Sequence, residues 1–461
     1  MIPKARAFVT PAREAAHRAV EAALGGVGFV QPVLAGWRWP PRTPRQEPAF
    51  AREIALGAIR HAIAIESLLA RVGEYDPRRV PPDLRAILLV AGYQLLWLPS
   101  VPVFAVVDQA VAAAHDRRGA KAAGMLNALL RRLSDAIDVR QDAWVQGNPR
   151  ALRTDWNTAC TFRRDVLPAP DDQDGVPFLA ATSGERSGRV AALIQRHGRA
   201  ATEAVLWAQQ ARPPVFLHRN PRSCDRRAFA AAAREGQLLS PDMAVFAAGA
   251  SWAAAELAAT GGAYVQDPTA REAALCVQPV AGERILDLCA APGGKSFALA
   301  LAGCAHVTAC DVDGQRLAQL RATAERMQLS EIEPLQLSGS DSRILPTGVD
   351  AALVDAPCSN SGVFARRPEA RLGLTREKLS ALIGLQHHLL GLGAGCVRPG
   401  GRLVYSTCSI EPQENEELVR QWLSSNAGWE IATERLSLPT AGESAADWRD
   451  GGYCVRLVRV G

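Results

Sequence analysis

Residues 285–295 read Ile-Leu-Asp-Leu-Cys-Ala-Ala-Pro-Gly-Gly-Lys. An apolar run that breaks into a Pro-Gly-Gly turn is the pattern of a strand feeding a tight loop, where an α/β sheet holds a nucleotide-like cofactor. Two more segments match it in character, Asp355-Ala-Pro-Cys358 and Tyr405-Ser-Thr-Cys-Ser409, each placing a cysteine just after an apolar run. A cofactor cradle with two thiols at its mouth implies covalent chemistry as well as binding.

From about residue 271 the texture alternates strand and helix. Strands are expected at 284–288, 306–311, 351–355 and 401–405, and helices at 296–301, 315–327, 376–397 and 413–424. That alternation predicts the α/β class, with a mostly parallel sheet covered on both faces and a ligand at the carboxyl ends of its strands. The turn Pro292-Gly293-Gly294 lets the backbone approach a ligand that a Cβ would repel. It is not Gly-x-Gly-x-x-Gly, so a dinucleotide dehydrogenase fits poorly. Asp311 ends the second strand, where an acidic side chain accepts from ribose hydroxyls. Asp341 is placed to meet an adenine amine, Asp355 ends a fourth strand, and Lys295 is placed to meet a cofactor carboxylate. Together they describe an adenosine-type cofactor without phosphate.

The thiols fit a particular reaction. Carbon 5 of cytosine is too weak a nucleophile to take a methyl group unaided. A thiolate added at carbon 6 turns the ring into an enamine, and carbon 5 can then attack. Asp355 is placed to hold a proton on, or bond to, the ring nitrogen as charge develops. A second cysteine near the first can assist expulsion of the thiol once the carbon-5 proton has left.

Bulk properties narrow the setting. A chain of 461 residues is expected to form two or three domains. No run reaches the length of a membrane span and no signal-peptide pattern opens the chain, so a cytoplasmic protein is expected. The ten cysteines include no Cys-x-x-Cys pair, which argues against a zinc site and points to free thiols. Residues 1–150 carry a net charge of +7 and the remainder −2. A basic front half suits a polyanion such as RNA, although a solvated surface explains that magnitude too. Residues 1–135 read as all-helical, with runs at 12–24, 50–72, 84–98, 104–115 and 120–133. The Pro-, Asp- and Gly-rich stretch 136–178 reads as a linker, and 179–270 as a small α+β lobe with a strand at 215–218.

At these motifs the chain resembles the Sun-type (RsmB-like) family of RNA cytosine-5 methyltransferases. The carrying segments are Asp287-Leu-Cys-Ala-Ala-Pro-Gly-Gly-Lys295, Asp355-Ala-Pro-Cys-Ser359 and Ser406-Thr-Cys-Ser-Ile-Glu-Pro-Gln-Glu-Asn-Glu416. The resemblance implies that Cys408 is the nucleophile and that Cys358 helps release product. It places S-adenosyl-L-methionine on Cys289, Ala290, Ala291, Pro292, Gly293, Gly294, Lys295, Asp311, Asp341 and Asp355. Glu369 lies in a further family segment near the substrate. The N-terminal helices resemble the NusB-type RNA-binding domain of bacterial small-subunit ribosomal RNA members, through Glu53-Ile-Ala-Leu-Gly-Ala-Ile-Arg60, 84–98 and Asn127-Ala-Leu-Leu-Arg131. The implied architecture is a NusB-like helical domain over 1–135, a linker over 136–178, an α+β lobe over 179–270 and a Rossmann-like methyltransferase domain over 271–461. The implied partner is RNA, most readily small-subunit (16S) rRNA. Transfer RNA and a non-catalytic assembly role are the alternatives. The family's usual His-Pro-x-Trp-Leu stretch is missing between 136 and 215, and Leu372 stands where a Trp often follows the Arg-Arg-Pro-Glu segment.

Overall fold

The computed structural model describes residues 9–26, 28–170, 175–248, 252–338 and 344–460. It divides into two compact units. The first holds Met1–Ala211 with Arg367–Gly373, and the second holds Arg212–Arg366 with Leu374–Gly461.

The first unit opens with the helices Pro11–Leu24, Val30–Ala35, Gln46–Arg60, Ala62–Val72, Pro82–Trp97 and Val103–Ala136. The helix Pro82–Trp97 is its centre: from Leu84 to Trp97 every residue except Arg85 is buried. A helix apolar all round is stable only when wrapped on all sides. Gly57 makes part of that wrapping possible, because a Cβ there would lie 2.1 Å from Cζ of Tyr93. The run 50–72 is two helices, not one. His61 leaves helical geometry at the junction and stacks on Trp97 with ring centroids 3.9 Å apart. The helices expected at 104–115 and 120–133 are both present, separated by a break at Gly119 where φ is +79°.

The stretch 136–178 is not a bare linker. Ile137–Ala143, Ala151–Arg153 and Thr158–Phe162 form a three-stranded antiparallel sheet with Thr158–Phe162 in the middle. Its turn residues masked strands only three to seven residues long. What holds it is tertiary: the Arg153 guanidinium carbon lies 3.8 Å from the ring centre of Trp207 and 4.9 Å from that of Trp156.

The interval expected as one lobe, 179–270, is also divided. Its helices Val176–Ser183, Ser187–His197 and Arg199–Ala208 belong to the first unit, and its strands to the second. The domain expected over 271–461 likewise gives up Arg367–Gly373 to the first unit. The reason is Arg371, which is 6% exposed. Its guanidinium donates to the carbonyls of Arg60, Ser183 and Gly184 at 3.4 Å each and of Gln209 at 3.3 Å. These carbonyls close the helices Gln46–Arg60, Val176–Ser183 and Arg199–Ala208. Unsatisfied carbonyls and the negative dipole ends of three helices thus share one cation, with Glu185 Oε2 at 3.6 Å as its carboxylate partner. Glu369, in the same segment, accepts from Val30 N at 3.2 Å. That bond ties its segment to the helical unit.

The second unit begins with a four-stranded antiparallel sheet in the order Gln237–Ser240, Met243–Phe246, Val215–Arg219, Ala263–Val265. A seven-stranded sheet follows, in the order Ile332–Gln336, His306–Asp311, Arg284–Leu288, Val349–Asp355, Val397–Thr407, Gly452–Arg459, Trp429–Ser437. The first five strands are parallel, and Gly452–Arg459 and Trp429–Ser437 are antiparallel additions. The helices Gly294–Leu301 and Gly314–Arg326 contribute to one apolar core and Arg376–Cys396 and Glu416–Ser424 to a second, so both faces are covered, as the α/β reading expected. Strand order reverses between Arg284–Leu288 and Val349–Asp355, the switch point at which such sheets open a crevice. Among the described residues no helix is long and apolar enough to cross a membrane.

Arg371→Met should lower the urea unfolding midpoint of the helical unit by an amount worth about 3 kcal/mol, because it leaves Glu185 and four carbonyls short of a buried cation. A midpoint equal to the parent's would show that the helix ends do not depend on it.

Candidate active site

Register fixes which residues meet at the carboxyl edge of the large sheet. Leu288 pairs with Cys310 on one side and Val354 on the other, and Asp355 pairs with Ser406. Cys289, Asp311, Asp355 and the Cys408 turn are thereby carried to one edge, although up to 119 positions separate them in sequence.

The glycine turn lies at that edge. Cys289 has φ +61° and Gly293 φ +111°. A Cβ on Gly293 would lie 2.4 Å from Cζ of Phe297 and 2.8 Å from Cγ of Leu320. The chain's own packing therefore requires this glycine, whereas the sequence had pointed to ligand approach. Ala290 and Ala291 are buried, and Gly294 opens the helix Gly294–Leu301, which carries Lys295. Asp311 ties two loops: its oxygens accept from Ala291 N and Asp313 N, both at 3.0 Å. Arg316 donates to the Ala291 carbonyl. Asp341 lies outside the described residues.

Lys295 Nζ stands 2.7 Å from Asp355 Oδ2. Burial alone would lower the Lys295 pKa, but the Asp355 carboxylate outweighs it and the Cys408 sulfur adds to the rise. Asp287 is fully buried. Oδ2 accepts from Ser296 Oγ at 2.6 Å, and Oδ1 has no hydrogen-bond partner among the described residues. Burial pushes its carboxyl up to about 7, with Asp355 and Asp311 adding to the rise and Ser296 and Lys295 opposing it. Burial likewise pushes the Cys289 thiol up to about 12, helped by the same carboxylates. Cys289 therefore stays a neutral thiol.

The other two cysteines meet. Cys358 Sγ and Cys408 Sγ are 3.2 Å apart. Cys358 is buried and Cys408 half-buried. The contact with Cys408 and burial hold the Cys358 thiol well above its ordinary pKa. Asn360 braces both: its Oδ1 accepts from Cys408 Sγ at 3.3 Å, and its Nδ2 donates to the Cys358 carbonyl at 2.9 Å. Cys408 and Lys295 line an open cleft together with Thr269, Thr407, Asp450 and Tyr453.

Three features of this site were not read from the sequence. One is the Lys295–Asp355 ion pair. The second is Arg366, which joins Asp450 at 2.6 Å and Asp267 at 3.0 Å beside the cleft. The third is Glu414, fully buried, which accepts from Ser359 Oγ and Ser409 Oγ at 2.5 Å each. Each of these serines directly follows one of the paired cysteines, and that repeated Cys-Ser step was the signal available.

A family model described as 16S rRNA methyltransferase RsmB/F matches residues 274–446, and a NusB family model matches residues 39–135. Ribosomal RNA small subunit methyltransferase B of Pseudomonas putida is 28% identical over 97% of this chain and 98% of its own length. Probable ribosomal RNA small subunit methyltransferase B of Synechocystis is 30% identical over 82% of this chain and 81% of its own. The crystal structure of PH0851 shares the fold, with a TM-score of 0.72 at 20% identity over 98% of this chain and 99% of that one. With a thiol-bearing Rossmann-like sheet following NusB-type helices in sequence and these relatives along its length, the chain belongs to the RsmB/F family of RNA methyltransferases.

Proposed function

We propose that this protein methylates carbon 5 of cytosine in small-subunit ribosomal RNA through a covalent cysteine–cytosine adduct. The observation that carries the reading is the pair of sulfurs 3.2 Å apart at the sheet edge that also bears Lys295 and Asp355. Cys408, the half-buried member facing the cleft, adds to carbon 6 of the flipped base. Lys295 lines the same cleft as that sulfur. Asp355 bonds the ring nitrogen while charge builds on the pyrimidine. After carbon 5 has gained its methyl group, its proton leaves to a base. The carbon 6–sulfur bond then breaks with its electron pair returning to Cys408, and Cys358 assists that departure.

The methyl group comes from S-adenosyl-L-methionine, which supplies it on an electrophilic sulfonium. The residues present fit such a cofactor. Asp287 Oδ1 is a buried acceptor without a partner among the described residues, and the Asp311 carboxylate accepts one backbone N–H at each oxygen, leaving lone pairs over. The turn Cys289-Ala290-Ala291-Pro292-Gly293-Gly294 lies beside both. Lys295 and Asp355 would meet the amino-acid end, and Asp341 the adenine. The RNA target rests on the relatives, which are named for small-subunit ribosomal RNA. The basic front half would bind phosphates, so affinity should fall as salt rises. A cytoplasmic site of action follows from that substrate.

Cys358→Ala should accumulate a protein–RNA adduct that survives a denaturing gel, and Cys408→Ala should give neither adduct nor methylated RNA. Normal turnover in both variants would end the thiol assignment. Bisulfite sequencing of ribosomal RNA from cells with and without the protein identifies the nucleotide.

Asp287 yields a pH test in ligand-free protein. A carboxyl raised to about 7 in the fold, against about 4 in an unfolded chain, favours the native state most at low pH. That contribution is lost as pH rises from about 4 through about 7. Asp287→Asn is neutral throughout, so its Tm relative to the parent should climb between pH 5 and pH 8. A constant difference would mean that the native carboxyl is already ionised at pH 5.

A further inference from the structure

Glu414 is 0% exposed. Its Oε1 accepts from Ser359 N at 2.8 Å and Gln386 Nε2 at 2.9 Å, and its Oε2 accepts from Ser359 Oγ and Ser409 Oγ at 2.5 Å each. All four donors are neutral. Burying a carboxylate is costly unless its lone pairs are filled, and here four hydrogen bonds from three side chains and one backbone group fill them. The two serines are themselves 3.1 Å apart. A single carboxylate therefore grips the residue after Cys358 and the residue after Cys408.

The grip is unequal. Ser359 gives Glu414 two hydrogen bonds and Ser409 one. Gln386, besides holding Glu414, donates to the carbonyl of Pro357 at 2.9 Å, on the other side of Cys358. The Cys408 turn has independent supports. Asn415 Nδ2 donates to the Ser409 carbonyl at 3.0 Å, and Thr407 Oγ1 donates to Asn415 Oδ1 at 2.6 Å. Loss of Glu414 would therefore free the Cys358 loop more than the Cys408 loop.

We propose that Glu414 is a positioning residue for product release, a clamp that holds the Cys358 thiol against the Cys408 sulfur. The proposal rests on the cytosine-5 reading above and deepens it. In the release step the carbon 6–sulfur bond breaks and both electrons return to Cys408, which leaves as a thiolate. A Cys358 S–H held 3.2 Å away donates a hydrogen bond to that thiolate and stabilises it. The Glu414 charge also works to keep the Cys358 proton in place. Adduct formation needs the cleft-facing Cys408 and Lys295, which Glu414 does not touch. Release alone depends on the clamp.

The test uses the full-length protein, S-adenosylmethionine carrying a labelled methyl group, and small-subunit ribosomal RNA from cells lacking this protein. Glu414→Gln should lower kcat about 100-fold, the scale of a misplaced reacting group. KM for S-adenosylmethionine should stay within about twofold of the parent. The fraction of protein linked to RNA at steady state should rise towards that of Cys358→Ala. Ser359→Ala removes one of the four donors and should show the same pattern in weaker form. A Glu414→Gln enzyme with parental turnover overturns the clamp, and so does one that loses turnover without gaining adduct. Should Glu414→Gln fail to fold, a parental adduct fraction in Ser359→Ala overturns it alone. If Cys358→Ala itself traps nothing, the covalent reading falls and takes the clamp with it.

Discussion

The pairing of Asp355 with Ser406 across two parallel strands is the constraint on which the chemistry hangs. It places two cysteine turns, 50 residues apart in sequence, in one frame at one sheet edge. Strand pairing brings turns near each other but does not set side chains to tenths of an ångström. That finer task falls to buried polar bonds: Asn360 to both cysteine residues, and the Glu414 carboxylate to the serines that follow them. Such bonds are strong only in a dry interior, and they are costly if one partner is missing. A buried polar bracket therefore suits a site that must hold two sulfurs in contact yet keep one open to a cleft.

The same economy of buried charge recurs in the helical unit. Arg371 enters it from a distant part of the chain and meets the carbonyl ends of three helices. Helices joined by short loops leave their last carbonyls unsatisfied, and a single five-donor fork answers several at once. Charged groups buried this way add little as isolated pairs. Their worth lies in making one arrangement of helix ends much better than its alternatives.

The site was legible where chemistry is written in consecutive residues. The glycine turn, Asp355 and both thiols could be found because each follows an apolar run that reads as a strand. The reason for Gly293 could not: in the fold its freedom serves Phe297 and Leu320 behind it, and sequence does not say what stands behind a turn. Nor does sequence say that the Glu369 carboxylate accepts from Val30 N in the helical unit. The sheet inside 136–178 was hidden because its strands are short and are held by Trp144, Trp156 and Trp207 around Arg153.

By itself the sequence determined the class of fold, the parallel strands that carry the motifs, the all-helical front and the residue types that stand at the strand ends. Those follow from periodicity and from residue types with few chemical uses. Only the tertiary structure decided that the sulfurs touch, that Lys295 pairs with Asp355, that Glu414 grips both cysteine turns, and that Arg367–Gly373 leaves its neighbours for the helical unit. Each of these is a contact between residues far apart in the chain. Local propensity carries no information about such distances, and burial, which gives them their strength, exists only after the chain has folded.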